Sequence, residues 1–248
     1  LSSSSAASDV YKRQDHISFT GSPTVGTLIQ QAAAERHCPV TLELGGKSPQ
    51  ILFEDADLDR AIPAVVNAIV QNAGQTCSAG SRLLIAQPIY EDVLARLGKV
   101  FESLRVGPAA LDLDLGPLIR ASQQQRVWDF LSDAQVAGIP MVAQGQIADD
   151  APESGFYQVP TLLRDVPPDH RLAQEEVFGP VLAAMPFRDD EQAVELANAT
   201  RFGLVAGVWT RDGGRQLRMA RAIHSGQVFI NNYGAGGGVE LPFGGVKS

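Results

Sequence analysis

The chain has 248 residues, of which 44% are hydrophobic and 19% charged, and its formal net charge is −8. That is enough apolar material for a sizeable core in one or two domains. The acidic balance excludes the Lys/Arg-rich surface that nucleic acid or an anionic membrane would require.

In chain order, the leading segment LSSSSAASDVYKRQ has no hydrophobic period and a composition unlike that of the rest of the chain, so residues 1–14 are expected to be a non-native or disordered leader. HISFTG then reads as a strand, and SPTVGTLIQQAAAERH as a helix with Ser22 as N-cap and Pro23 in the first turn. VTLELGG and PQILF are strand-like. In DLDRAIPAVVNAIVQNAG, the residues Leu58, Ile62, Val65, Val66, Ile69 and Val70 mark one helical face. RLLIAQ reads as a buried strand, IYEDVLARLGKVFESL and SQQQRVWDFLSDAQVAG as amphipathic helices. YQVPTLL, PVLAAMPF, GLVAGVWT and GQVFIN are further strands, with the helices DEQAVELANAT and GRQLRMARAIH between the later ones. Strands separated by helices imply parallel pairing and an α/β fold. No apolar run reaches the roughly 18 residues a bilayer demands, since even AIPAVVNAIVQNAG is interrupted by Pro63, Asn67 and Gln71.

Five stretches carry chemistry. In FTGSPTVG a strand end leads through Gly21 to a helix containing Gly26, a geometry that offers free helix amides to an anion but equally serves as a tight turn. In LELGGKSP, Glu43 ends an apolar strand and faces either solvent or a cleft, where burial would raise its pKa toward that of a general base. In NAGQTCSAGSR, Cys77 sits among small residues beyond the apolar helix face, open enough for a nucleophilic thiolate, whereas Cys38 in ERHCPVTL fits a structural role. The four histidines, at 16, 37, 170 and 224, are scattered, which leaves a Cys–His pair open beside Glu43 as base. In QEEVFGPVLAAMPF, Glu175 and Glu176 are surface carboxylates by default, although a carboxylate there can also accept a ribose diol. The final GQVFINNYGAGGGVELPFGGVKS reads as a strand followed by a glycine-rich loop that either borders a cleft or connects. No His, Cys and carboxylate cluster has metal-ligand spacing, and two cysteines are too few for a disulfide framework, so a reducing, cytoplasmic compartment is expected.

Taken in order, FTGSPTVG, LELGGKSP, GQTCSAGSR, EEVFGPV and PFGGVKS resemble the successive signatures of the NAD(P)-dependent aldehyde dehydrogenase superfamily over residues 15–248, with Glu43 and Cys77 separated by the 34 positions the family shows. The resemblance implies an aldehyde dehydrogenase-like catalytic domain, its parallel-rich sheet flanked by helices, at 45–248. Residues 15–44 would be a remnant of a Rossmann-type cofactor domain. It implies Cys77 as nucleophile and Glu43 as general base, with Gly21, Ser22 and Gly26 near the pyrophosphate of NAD or NADP. Leu44 would lie near the nicotinamide, and Glu176 with Phe178 near its ribose. The substrate would be a small aldehyde, and the whole protein a homo-oligomer, dimer or tetramer. Family members are about twice this length and carry most of the cofactor domain ahead of the FTGS strand, so the 248-residue chain alone is expected to be inactive as a dehydrogenase. A cofactor-independent thiol esterase or acyl-transferase, or a noncatalytic role, are the alternatives. By position, Arg82, Phe243 and the NNYGAGGG loop are expected at the site entrance.

Overall fold

A computed structural model describes residues 14–234 and 241–247. The leader up to residue 13 and the glycine-rich tract 235–240 lie outside the described residues. The chain divides into two compact units, one ending at Gly45 and one running from Gly46 to Lys247.

The first unit is a single parallel β-α-β turn. Strand β1 (Ile17–Thr20) leads into helix α1 (Pro23–Ala34) and back to β2 (Val40–Glu43), pairing Phe19 with Leu42 and Thr20 with Glu43. Helix α1 starts where the sequence places it. Ser22 is the N-cap, its Oγ accepting the Val25 N–H at 3.4 Å, and Pro23 comes next at a position whose missing N–H costs nothing.

The second unit is built on a seven-stranded sheet in the order β11-β10-β3-β4-β9-β8-β6. The strands are β3 (Pro49–Leu52), β4 (Arg82–Ala86), β6 (Met141–Gln144), β8 (Thr161–Leu163), β9 (Val181–Phe187), β10 (Val205–Trp209) and β11 (Gln227–Ile230); β5 (Arg105–Val106) and β7 (Gln146–Ile147) form a separate short pair. Five of the six neighbouring pairs in the large sheet are parallel, as the alternation of strands and helices requires. Helix α2 (Leu58–Val70) buries Ile62, Val65, Val66, Ile69 and Val70, the face read from the sequence, and keeps Pro63 exposed. Helix α3 (Tyr90–Ser103) packs on α2; α4 (Ala121–Val136), the short α5 (Arg171–Gln174), α6 (Asp190–Asn198) and α7 (Gly213–Ala222) complete the unit. The β3 and β4 strands are buried along their whole length, as central strands covered on both faces must be.

Edge strand β6 departs from the parallel expectation: it runs antiparallel to β8, with a register shift between Met141 and Ala143. The intervening GQIADDAPESG contains no helix. Without a helical crossover the chain returns on the neighbouring strand in the opposite direction. The strands β5, β6 and β7 and helix α5 are too short to leave a hydrophobic period, so the sequence pattern does not announce them.

Candidate active site

The three chemistry-bearing stretches of the second unit are brought together by strand order alone. GGKS, TCSAGS and EEVFGP each immediately precede β3, β4 and β9, and these are adjacent parallel strands with Pro49 paired to Arg82 and Arg82 to Ala183. Segments far apart in sequence therefore meet along the N-terminal edge of the sheet.

The loop carrying Cys77 is shaped by a reversal of handedness. Helix α2 stops at Val70, short of the sequence reading, because Asn72, Ala73 and Gly74 take left-handed φ values of 51°, 52° and 71°. For asparagine and alanine this costs on the order of 1 kcal/mol each, strain that the surroundings must hold. They do so at several points. The Gln75 N–H donates to Asn72 O, Gln75 Oε1 accepts the Ile119 N–H at 3.0 Å, and the Gly80 N–H returns to Ala68 O at 3.0 Å. Gly74 is wedged against the 176–180 segment, since a Cβ there would stand 2.3 Å from the Gly179 carbonyl. The result is a half-buried Cys77 on a fixed loop, not a cysteine sunk in the core. The hydroxyl of Tyr233 donates to Ser78 O at 2.7 Å, and burial, with the neighbouring Cys77 sulfur, pushes the phenol above its ordinary range.

Gly46 ties this loop to Glu176. A Cβ on Gly46 would stand 2.0 Å from the Cys77 carbonyl oxygen, and the Gly46 N–H donates to Glu176 Oε1 at 3.0 Å. Its φ is not among the positive ones, so glycine is required here for room and not for conformational freedom. Gly46→Ala should therefore destabilise the protein by about 2 kcal/mol or more, since backbone must shift to relieve the overlap. Denaturant melts check this, and a variant within ~0.5 kcal/mol of wild type would contradict it.

Glu176 is half-buried, and burial raises its pKa, opposed by the Gly46 N–H and by Lys47. Phe178 adopts a left-handed φ of 59°, held by the Gln123 side-chain amide, which donates to the carbonyls of Val177 (3.0 Å) and Phe178 (2.8 Å); Arg126 donates to Glu176 O at 2.6 Å. Two clefts border the Cys77 loop. One is lined by Asn67, Gln71, Thr76, Ser78, Tyr233 and Gly234, the other by Asn72, Gln75, Ile119 and Phe178.

In the first unit, the β1–β2 pair sets Gly21, Ser22 and Gly26 beside Glu43 and Leu44 at the C-terminal strand ends, where open α/β sheets bind ligands. The Gly21 N–H donates to Glu43 O at 3.0 Å, and Gly26 packs flush on the Leu44 side chain. No acidic side chain stands in the first turn of α1. Glu43 is half-buried, one carboxylate oxygen is sealed without a hydrogen-bond partner among the described residues, and burial raises its pKa. Its carboxylate is thus partly withdrawn from solvent, while part of the residue stays exposed.

Arg82 corrects an expectation. It is 2% exposed and no entrance residue. Its guanidinium donates to Lys47 O (2.9 Å), Leu196 O (2.7 Å) and Ala197 O (2.8 Å), bracing the C-terminal end of α6, where a cation is favoured. Of the NNYGAGGG loop, Tyr233 and Gly234 line the first of the two clefts, and residues 235–240 lie outside the described residues. Of the histidines in this unit, His170 uses Nδ1 to cap α5 through the Leu172 N–H and His224 is exposed.

A family model described as the aldehyde dehydrogenase family matches residues 9–248. The chain belongs to the aldehyde dehydrogenase family. An aldehyde dehydrogenase of Emericella nidulans is 40% identical over 235 residues, 94% of this chain and 46% of that protein. A crystal structure of a Burkholderia cenocepacia protein assigned to the aldehyde dehydrogenases is 72% identical, with a TM-score of 0.93 over 94% of this chain and 49% of that one. The NAD+ complex of a Bacillus cereus aldehyde dehydrogenase is 39% identical, with a TM-score of 0.89 over 94% of this chain and 47% of that one. The chain thus spans about half the length of these aldehyde dehydrogenases. The α/β fold expected from the resemblance, a mostly parallel sheet flanked by helices, is the fold of these relatives. Among the described residues no helix is long and apolar enough to cross a membrane.

Three residues of this candidate site escaped the sequence reading. Lys47 lay inside a quoted motif, and a lysine wedged between Gly-Gly and the start of a fully buried strand was a usable signal. Gln123 and Arg126 left none, because a polar residue on an amphipathic helix looks the same whether it meets water or a neighbouring carbonyl.

Proposed function

We propose that the protein carrying this chain oxidises an aldehyde to a carboxylic acid through a thioester on Cys77, with Glu43 as the general base. One observation carries the reading: a half-buried thiol on a strained, fully braced loop, locked through Gly46 to a carboxylate that is itself held in place. Strain retained at such expense is the mark of a functional loop, and the relatives' names supply the reaction class.

Cys77, as the thiolate, attacks the aldehyde carbon, the carbonyl electron pair moves to oxygen, and loop amides including that of Cys77 stabilise the oxyanion. NAD or NADP, when bound, supplies the acceptor for the aldehyde hydrogen with its electron pair. The residues present suit such a dinucleotide. The first turn of α1 is free of acidic side chains for a pyrophosphate near Gly21, Ser22 and Gly26. We assign Leu44 to the nicotinamide, and Glu176 and Phe178 to its ribose. The resulting thioester on Cys77 is opened by water: Glu43 removes the proton, the new C–O bond forms, and the C–S bond breaks to free the acid. In this reading residues 15–44 belong to the cofactor domain and 45–248 to the catalytic domain, and the protein is a cytoplasmic homo-oligomer.

The test is NADH or NADPH formation from simple aldehydes by protein carrying this sequence. Cofactor-dependent turnover is the expected result. Ester hydrolysis that needs Cys77 but is indifferent to nicotinamide, with no aldehyde oxidation, would instead mark a thiol hydrolase.

A further inference from the structure

Lys47 has no place in the chemistry above, yet burying it is costly. It is 2% exposed, and its ammonium has no hydrogen-bond acceptor among the described residues. Lysines are almost never sealed in this way unless paired, because desolvating the charge is uncompensated. Its main chain is clamped on both sides. Its carbonyl accepts from Arg82 Nε at 2.9 Å, and the preceding Gly46 N–H binds Glu176 Oε1 at 3.0 Å. The charged groups facing it come from three elements: Arg82 on β4, Glu175 and Glu176 ahead of β9, and Arg126 on α4. Burial first, and then Arg82, bring its pKa down to about 7, while Glu176 and Glu175 hold it up. Reciprocally, burial raises Glu176, and after the Gly46 N–H the largest opposing influence is Lys47.

We propose that Lys47 is a positioning residue for Glu176: its buried ammonium, one residue from the Gly46–Glu176 hydrogen bond, keeps that carboxyl in the anionic form that accepts from Gly46 and from a ribose diol. The proposal rests on the assignment of Glu176 to the cofactor ribose. A protonated Glu176 would turn one acceptor into a donor and lose part of its grip on two hydroxyls. The arrangement also accounts for a buried cation that packing alone would exclude, because an apolar side chain of the same length would be at least as stable there.

The deciding experiment follows the Glu176 carboxyl by ¹³C NMR through a pH titration of the 248-residue chain without cofactor, in wild type, Lys47→Met and Lys47→Arg. NADH dissociation constants are measured by fluorescence on protein carrying this sequence, with Glu176→Gln included. In Lys47→Met the Glu176 midpoint should rise by about one pH unit. NADH binding by Lys47→Met should fall below that of wild type as pH drops through the raised Glu176 midpoint, and match wild type well above it, where Glu176 ionises unaided. The melting temperature should hold or rise, which loss of a merely structural residue would not produce. Lys47→Arg should restore the wild-type midpoint, and Lys47→Met should add no further loss in a Glu176→Gln background. Lys47→Gln gives the same readout should the methionine variant not fold. An unmoved Glu176 midpoint in the neutral variants overturns the proposal. A midpoint that moves while Glu176→Gln binds NADH like wild type upholds the Lys47–Glu176 coupling and rejects the ribose assignment instead.

Discussion

Cys77→Ala is expected to reduce aldehyde oxidation by about 10³-fold or more while leaving the fold intact. The loop has anchors besides Cys77. It is held by the Gln75 and Gly80 hydrogen bonds, by Gly74 against Gly179, and by Tyr233 on Ser78 O. Removing one half-buried side chain therefore leaves the left-handed turn in place, and the stability change should stay within about 1 kcal/mol. Initial rates of NADH formation, with a thermal melt as control, check both halves. A folded variant that retains more than about a tenth of wild-type turnover would remove Cys77 from the nucleophile's role.

Glu43→Gln should separate the two halves of the reaction. Acylation of Cys77 does not need the carboxylate, so the first turnover should still release one equivalent of NADH. Steady-state turnover should fall by about 10²-fold, because no base removes the proton from the attacking water. The pH dependence carries the same signature. Burial raises the Glu43 carboxyl above its ordinary value, so the base is disabled as pH falls through that raised value, and the acid limb of the wild-type rate profile should lie higher than an exposed glutamate would give. In Glu43→Gln that limb should vanish. A variant with unchanged steady-state rate, or with burst and steady state reduced equally, would mean that another group activates water.

Much of the architecture was legible because its signals are local. Ser22 and Pro23 announce the start of α1, and the six apolar positions from Leu58 to Val70 announce the buried face of α2. The candidate residues were legible as motifs in order, yet their convergence was not. That Gly46, Cys77 and Glu176 meet is a consequence of β3, β4 and β9 being neighbours, a pairing decided by packing of the whole sheet. The left-handed run at 72–74 was hidden for a similar reason: Ala73 has no intrinsic preference for that conformation, and Gly74, next to it, sits against Gly179. Arg82 was placed at the entrance by its position after the Cys77 loop, although it heads RLLIAQ, which reads as a buried strand. Only the fold reveals the three buried carbonyls that satisfy it.

The central claim is that one sulfur carries the acyl group and one distant carboxylate releases it. Mass spectrometry of the Cys77 peptide, after Glu43→Gln protein is quenched in acid during turnover of an aldehyde with NAD+, tests this most directly. The expected result is a Cys77 peptide heavier by the acyl group of the added aldehyde, absent when NAD+ is omitted. An unmodified Cys77 peptide while the aldehyde is being oxidised, or the acyl mass on any other residue, would contradict it.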